Sequence, residues 1–322
     1  MTVPYVIGQW VRGERFYGRG ALIEDVLRGG RPCAWVAGAR RIGKTSLLRQ
    51  LELLAPEASL EPVVWDLQGV EDGRELCLSL ADAVLDACGR DRLGPPAPGE
   101  DAPAYLARLA RSQVPAGRAL LLLCDEAEDL AALLGRERAL ADRLLDVLAT
   151  AGVRVVLASS VRLAAVATVS PHGAALLARL GPPLYLGPLD PAASRALVRQ
   201  QHLPAADRPA LSDAAVEAIC ERCGGHPFLL QLLARRVLEG GELESACASL
   251  ASDPMLAYLV AADLALLEEG DRVLLRRLPV TAGGAEPARA ARLEALGLAR
   301  RDAAGRLVGG NWIFETAFRL KS

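Results

Sequence analysis

The stretch Gly38-Ala39-Arg40-Arg41-Ile42-Gly43-Lys44-Thr45-Ser46 decides the fold. It fits G-x-x-x-x-G-K-[ST], a pattern whose glycines let backbone N–H groups wrap a polyphosphate while a helix N-terminus adds partial positive charge. Its surroundings match what that mechanism requires. Apolar Cys33-Ala34-Trp35-Val36-Ala37 reads as a strand before it, and Leu47, Leu48, Leu51 and Leu54 recur at helical spacing after it. Lys44 is then expected to reach the β- and γ-phosphates and Thr45 to ligate Mg²⁺. Composition singles out the same lysine. Of 37 basic residues 35 are arginines, and the only lysines are Lys44 and Lys321. A compact ammonium fits inside a phosphate loop, whereas a guanidinium is too broad.

Outward from the loop, strand-like runs recur at 63–67, 119–124, 153–158 and 184–186, with helical patterns at about 74–88, 103–112, 137–150 and 172–180. Strands alternating with helices predict an α/β domain with a parallel sheet. The unbroken Leu120-Leu121-Leu122-Leu123 suits a central strand covered on both faces. The linker 89–103, with four prolines and three glycines, reads as a surface loop. After Pro188 the strands stop. Helices are expected over 191–202, 212–222 and 227–239, with Ser212 or Asp213 as a cap. A helix at 287–296, two short apolar stretches about the turn Asp302-Ala-Ala-Gly305, and a helix at 312–320 outline a winged helix.

A phosphate loop calls for an acidic partner on a neighbouring strand. Leu120-Leu-Leu-Leu-Cys-Asp125-Glu126 supplies it: Asp125 is expected to hold Mg²⁺ through water, and Glu126 to polarise an attacking water as general base. The plainer alternative makes Glu126–Asp129 a solvated helix start. Glutamate directly after aspartate, with strand 63–67 between the two motifs, resembles the additional-strand, catalytic-glutamate division of P-loop NTPases. At the end of the next strand Ser160 and Arg162 are candidates to sense the γ-phosphate, against a reading as a solvated strand end.

Several classes are excluded or disfavoured. Thirty-seven basic against 39 acidic residues, net −2, argue against a generally basic nucleic-acid coat. No run of about 18 apolar residues occurs, and residues 1–20 lack a signal-peptide core. Seven scattered cysteines do not resemble a disulfide framework, so a cytoplasmic protein is expected. Cys220 and Cys223 with His226 lack a second Cys-x-x-Cys pair for zinc. His172 and His202 read as surface residues, and no Gly-x-Ser-x-Gly elbow supports an esterase or peptidase.

Taken together, these motifs resemble the STAND class of AAA-like ATPases, in its archaeal and bacterial branch. Tyr5-Val6-Ile7-Gly8 and Arg15-Phe16-Tyr17-Gly18-Arg19 are similar to the segment ahead of its phosphate loop, where an aromatic-Gly-Arg element contributes to the adenine pocket. Arg40-Arg41-Ile-Gly-Lys-Thr-Ser46 matches its loop wording, and Gly224-Gly225-His226-Pro227-Phe-Leu-Leu its helical-lid motif, whose proline lies against the base. The resemblance implies Val6, Ile7, Phe16, Gly18, Arg19, His226 and Pro227 as nucleotide-binding residues. It implies four segments: 1–30 (adenine pocket), 31–190 (P-loop core), 191–250 (helical lid) and 251–322 (winged helix). Such proteins usually carry an effector domain before the ATPase and a repeat sensor after it. The chain is therefore expected to be an excised core or to meet effector and sensor in trans, with self-association on ATP binding.

The expected function is an ATP-binding and ATP-hydrolysing signalling switch, closed with ADP and opened with ATP and Mg²⁺. Adenine is favoured over guanine because no Asn-Lys-x-Asp reader exists; Asn311 is the sole asparagine. Two alternatives remain open. One is an initiator- or loader-type ATPase that binds DNA through its winged helix. Residues 271–322 hold ten basic and five acidic side chains, or +5, including Arg289, Arg292, Arg300, Arg301 and Arg306. The other is a non-hydrolysing scaffold that holds ADP.

Overall fold

A computed structural model of the chain describes residues 4–88, 93–113 and 117–319. Linker residues 89–92 and Lys321 lie outside them. The chain forms two compact units: Gly20–Ala37 with Lys44–Leu184, and Met1–Arg19 with Gly38–Gly43 and Tyr185–Ser322.

The first unit is built on the sheet. Strands β1 (Cys33–Ala37), β2 (Leu60–Asp66), β3 (Ala119–Asp125), β4 (Val153–Ser159) and the short β5 (Leu184–Tyr185) lie in the order β2-β3-β4-β1-β5. All registered pairs are parallel, with Cys124 opposite Leu157 and Ala37 opposite Ser159. Parallel strands bring their carboxyl ends to one edge, so Asp125 and Ser159 finish beside each other and beside the end of β1. Leu120 to Leu123 are all essentially buried, as a strand between helical layers requires.

Among the described residues this unit holds the helices α1 (Gly20–Arg28), α2 (Lys44–Leu54), α3 (Gly73–Cys88), α4 (Ala102–Gln113), α5 (Ala127–Arg136), α6 (Arg138–Leu148), α7 (Arg162–Ala167) and α8 (Pro171–Leu180). On α2 the predicted face is the buried one: Leu47, Leu48 and Leu51 are fully enclosed. Each such leucine contributes roughly 1.5–3 kcal/mol. Trp35 extends its indole N–H to the Ser159 hydroxyl at 2.6 Å, so even this buried polar group is satisfied.

The second unit is mostly helical: α9 (Pro191–Val198), α10 (Asp213–Cys223), α11 (Pro227–Leu238), α12 (Leu243–Ala251), α13 (Pro254–Ala265), α14 (Glu269–Arg276), α15 (Pro287–Ala295) and α16 (Trp312–Arg319). Ser212, not Asp213, caps α10, its hydroxyl accepting the Ala215 N–H. Strands β6 (Ala299–Arg301) and β7 (Leu307–Gly309) form an antiparallel hairpin about the predicted turn, where the Asp302 carboxylate accepts the Ala304 and Arg306 N–H groups. Asn311 opens α16 by accepting the N–H groups of Ile313 and Phe314, each at 3.1 Å. Among the described residues no single helix is long and apolar enough to cross a membrane.

Candidate functional site

In the sheet unit the two acidic-motif predictions meet. Thr45, in the first turn of α2, donates its hydroxyl to the Asp125 Oδ2 at 2.6 Å across 80 residues of sequence. Asp125 is 8% exposed, and its other oxygen accepts the Glu126 N–H at 3.1 Å. Glu126 itself is exposed and sits at φ +50, a left-handed conformation unusual for a glutamate, at the junction of β3 and α5. Lys44 and Ser46 are half-buried in the opening turn of α2.

Ser160, just past β4, is held by a residue absent from the sequence-based set. Glu128 Oε1 accepts both the Ser160 N–H, at 2.6 Å, and the Ser160 hydroxyl. Ser160 in turn accepts the Arg162 N–H at 3.2 Å, while the Arg162 side chain is exposed. The spacing Asp125-x-x-Glu128 puts Glu128 one helical turn beyond the strand end. That signal was present in the sequence, but it read as part of a solvated acidic run.

Residues 38–43 of the loop belong to the other unit. Arg41 at φ +60 and Gly43 at φ +103 both take left-handed backbone conformations, the kind found in backbone concavities that bind anions. At Gly43 only a residue without Cβ adopts that angle cheaply. Ala39 and Ile42 are buried beneath, whereas the Arg40 and Arg41 side chains are exposed. The Arg41 guanidinium donates to the Gly8 carbonyl at 3.0 Å and lies over the Phe228 ring. The Val6 N–H donates to Gln231 on α11 at 3.0 Å, leaving Val6 and Ile7 half-exposed beside that helix. The N-terminal segment, the loop and the lid motif thus converge within one unit.

His226 precedes α11 and is buried at 8% exposure, with Pro227 at the first helical position. Its ring lies against the Arg40 backbone, and Nδ1 is buried with no partner. Burial, reinforced by the charge of Arg19, lowers its pKa to about 4, so the ring is neutral at pH 7. Arg40 is also met by Asp263 of α13, whose Oδ1 accepts the Arg40 N–H at 3.0 Å. Arg19 is spent elsewhere: it donates to the carbonyls of Gly187 and, at 3.1 Å, Pro188, and burial lowers its pKa to about 10. Phe16 is half-buried, and Gly18 packs close to Leu189 and Ala193. Gly224 ends α10 so close to Gly310 that a Cβ would lie 1.9 Å from its carbonyl oxygen.

A match to the family model described as Novel STAND NTPase 1 extends over residues 11–239. The chain belongs to the novel STAND NTPase 1 family. No curated protein matches this STAND NTPase in sequence. Solved structures resemble it in fold. The Walker-type ATPase of Pyrococcus abyssi is 16% identical, with a TM-score of 0.66 over 98% of this chain and 99% of that one. The ORC2 protein of Aeropyrum pernix, solved as ADPNP and ADP complexes, is 15% identical, with a TM-score of 0.52 over 98% and 96%. The fold is therefore that of a P-loop NTPase of STAND and AAA+ type.

The arginines singled out for a phosphate backbone lie beside carboxylates. Arg289 and Arg292 reach the buried Asp271 at 2.8 and 2.5 Å, and Arg292 also meets Glu268 at 3.0 Å. Arg301 pairs with Glu294, Arg306 with Asp302, and Arg300 approaches Glu315 at 3.9 Å. All five arginines proposed for a phosphate backbone have carboxylate neighbours. As for zinc, no three potential ligands converge among the described residues.

Proposed function

We propose that this STAND NTPase is a nucleotide-dependent ATPase switch, binding ATP with its phosphates on the loop 38–45. The observation that carries the reading is the 2.6 Å contact of Thr45 with Asp125, which unites the loop motif and the acidic motif. Both offer hard oxygen donors, the set Mg²⁺ prefers, and the ion keeps most of its positions for waters and phosphate. When bound there, Mg²⁺ would neutralise charge developing on the phosphates. Lys44 supplies the protein's own cation to the same groups. Glu126, exposed at the strand end, accepts a proton from the attacking water. Ser160, oriented by Glu128, offers a hydroxyl at the end of the adjacent strand. Val6, Ile7 and Pro227 present apolar surface suited to a purine base. ATP then favours one arrangement of the helical segments and ADP another, which is what makes hydrolysis a switch rather than simple turnover.

The test combines calorimetry with phosphate release. Lys44→Ala should abolish Mg·ATP binding. Glu126→Gln should bind normally but turn over about 10²–10⁴-fold more slowly. Equal ATP affinity in parent and Lys44→Ala sinks the nucleotide site. Tight ADP with no phosphate release in the parent replaces the switch with an ADP-holding scaffold. The paired arginines give a DNA-binding reading no support.

A further inference from the structure

Asp263 has no place in the proposed reaction, yet it sits on the phosphate loop. Helix α13 reads Pro-Met-Leu-Ala-Tyr-Leu-Val-Ala-Ala-Asp-Leu-Ala, so Asp263 is its one charged residue, and it is 7% exposed. Burying a carboxylate in an apolar helix is costly unless something draws it there. One group it meets there is the Arg40 N–H, accepted at 3.0 Å. That N–H belongs to the Gly-rich loop 38–45 proposed above to hold the phosphates, with left-handed backbone at Arg41 and Gly43. Residues 38–43 belong to the same compact unit as α13. A phosphate loop with a carboxylate already on one of its amides is partly occupied by an anion of its own chain.

We propose that Asp263 is an internal competitor for the phosphate loop: its carboxylate, docked on the Arg40 N–H, opposes incoming nucleotide phosphates and sets the affinity of the site low until nucleotide displaces it. This rests on the nucleotide reading above. Two physical consequences follow from charge alone. Repulsion grows with ligand charge, so ATP should be opposed more than ADP when Mg²⁺ is absent. Because salt screens a buried charge only weakly, most of the opposition should persist as ionic strength rises. A carboxylate that merely braces the loop would show neither, because an amide oxygen braces it equally well.

Asp263→Asn separates the two roles, since it keeps the acceptor oxygen and the shape while removing the charge. The full chain is titrated with ATP and with ADP, with and without Mg²⁺, at about 50 mM and about 500 mM salt, beside the parent and Lys44→Ala. Thermal melting checks that each variant is folded. The expected result is tighter binding by Asp263→Asn, on the order of tenfold for ATP at low salt. The gain should be smaller for ADP and largely kept at high salt. A parent that binds nothing while Asp263→Asn binds ATP supports the proposal in its strongest form. Unchanged or weaker binding by Asp263→Asn, with a parent that binds and Lys44→Ala that does not, overturns the competitor and leaves the nucleotide site standing. Failure of parent and Asp263→Asn alike to bind overturns both.

Discussion

Acid should weaken this protein through His226 in a way that can be isolated by mutation. The imidazole is 8% exposed, lies against the Arg40 backbone, and has its pKa lowered to about 4 because burial and the nearby Arg19 disfavour its charged form. In the unfolded chain the ordinary histidine value of about 6.5 applies. Above that pH both states carry a neutral ring, and the group contributes no pH dependence. As pH falls from about 6.5 to about 4, the unfolded state takes up a proton that the folded state refuses, and stability drops by about 1.4 kcal/mol per unit. Below about 4 both states bind the proton and the loss levels off. The span of some 2.5 units gives a total of about 3 kcal/mol. The assay is urea denaturation of the parent and of His226→Gln between pH 7.5 and 4, followed by far-UV circular dichroism. The variant begins less stable, having lost the ring's packing. The stability difference between the two proteins should then shrink by about 3 kcal/mol across the range. Curves that descend in parallel would refute the account, because every other titrating group is common to both.

Two further outcomes concern the C-terminal helices. Asp271→Ala leaves Arg289 and Arg292 without the carboxylate they share, one whose side chain is 2% exposed. The arginines are partly solvated and Glu268 remains, so urea denaturation should show a loss of about 2–3 kcal/mol rather than the full cost of a deeply buried pair. Asn311→Ala removes the oxygen that accepts two N–H groups at the start of α16. It should cost about 1 kcal/mol, with faster hydrogen exchange confined to the first turn of that helix.

Much of the architecture was legible because strong local signals agreed. The run Leu120–Leu123 is a central strand because four successive leucines need cover on both faces, and 38–43 joins strand β1 to helix α2 as its spacing implies. What stayed hidden depends on contacts between distant residues. Glu128 looked like one more acid in Glu126–Asp129 until Ser160, 32 positions away, came to its carboxylate. Asp263 could not be tied to Arg40 across 223 positions by any local pattern. Arg289 and Arg292 looked like a basic face because charge counts do not show that Asp271 and Glu268 lie against them. Asn311 was noted only for the guanine motif it fails to make, although asparagine just ahead of an apolar helix is an ordinary capping signal.

The left-handed backbone at Glu126 has an evolutionary edge. A glycine relieves a φ of +50 at no steric cost, and an asparagine tolerates it better than a glutamate does. Variants selected in the laboratory for heat resistance alone should therefore drift toward glycine or asparagine at this position, gaining up to about 1 kcal/mol. They would discard the carboxylate proposed to drive turnover and remain folded and able to bind nucleotide. A screen that scores survival of the fold would collect these proteins as improvements, and only a count of phosphate released would reveal a switch that can be set once and never reset.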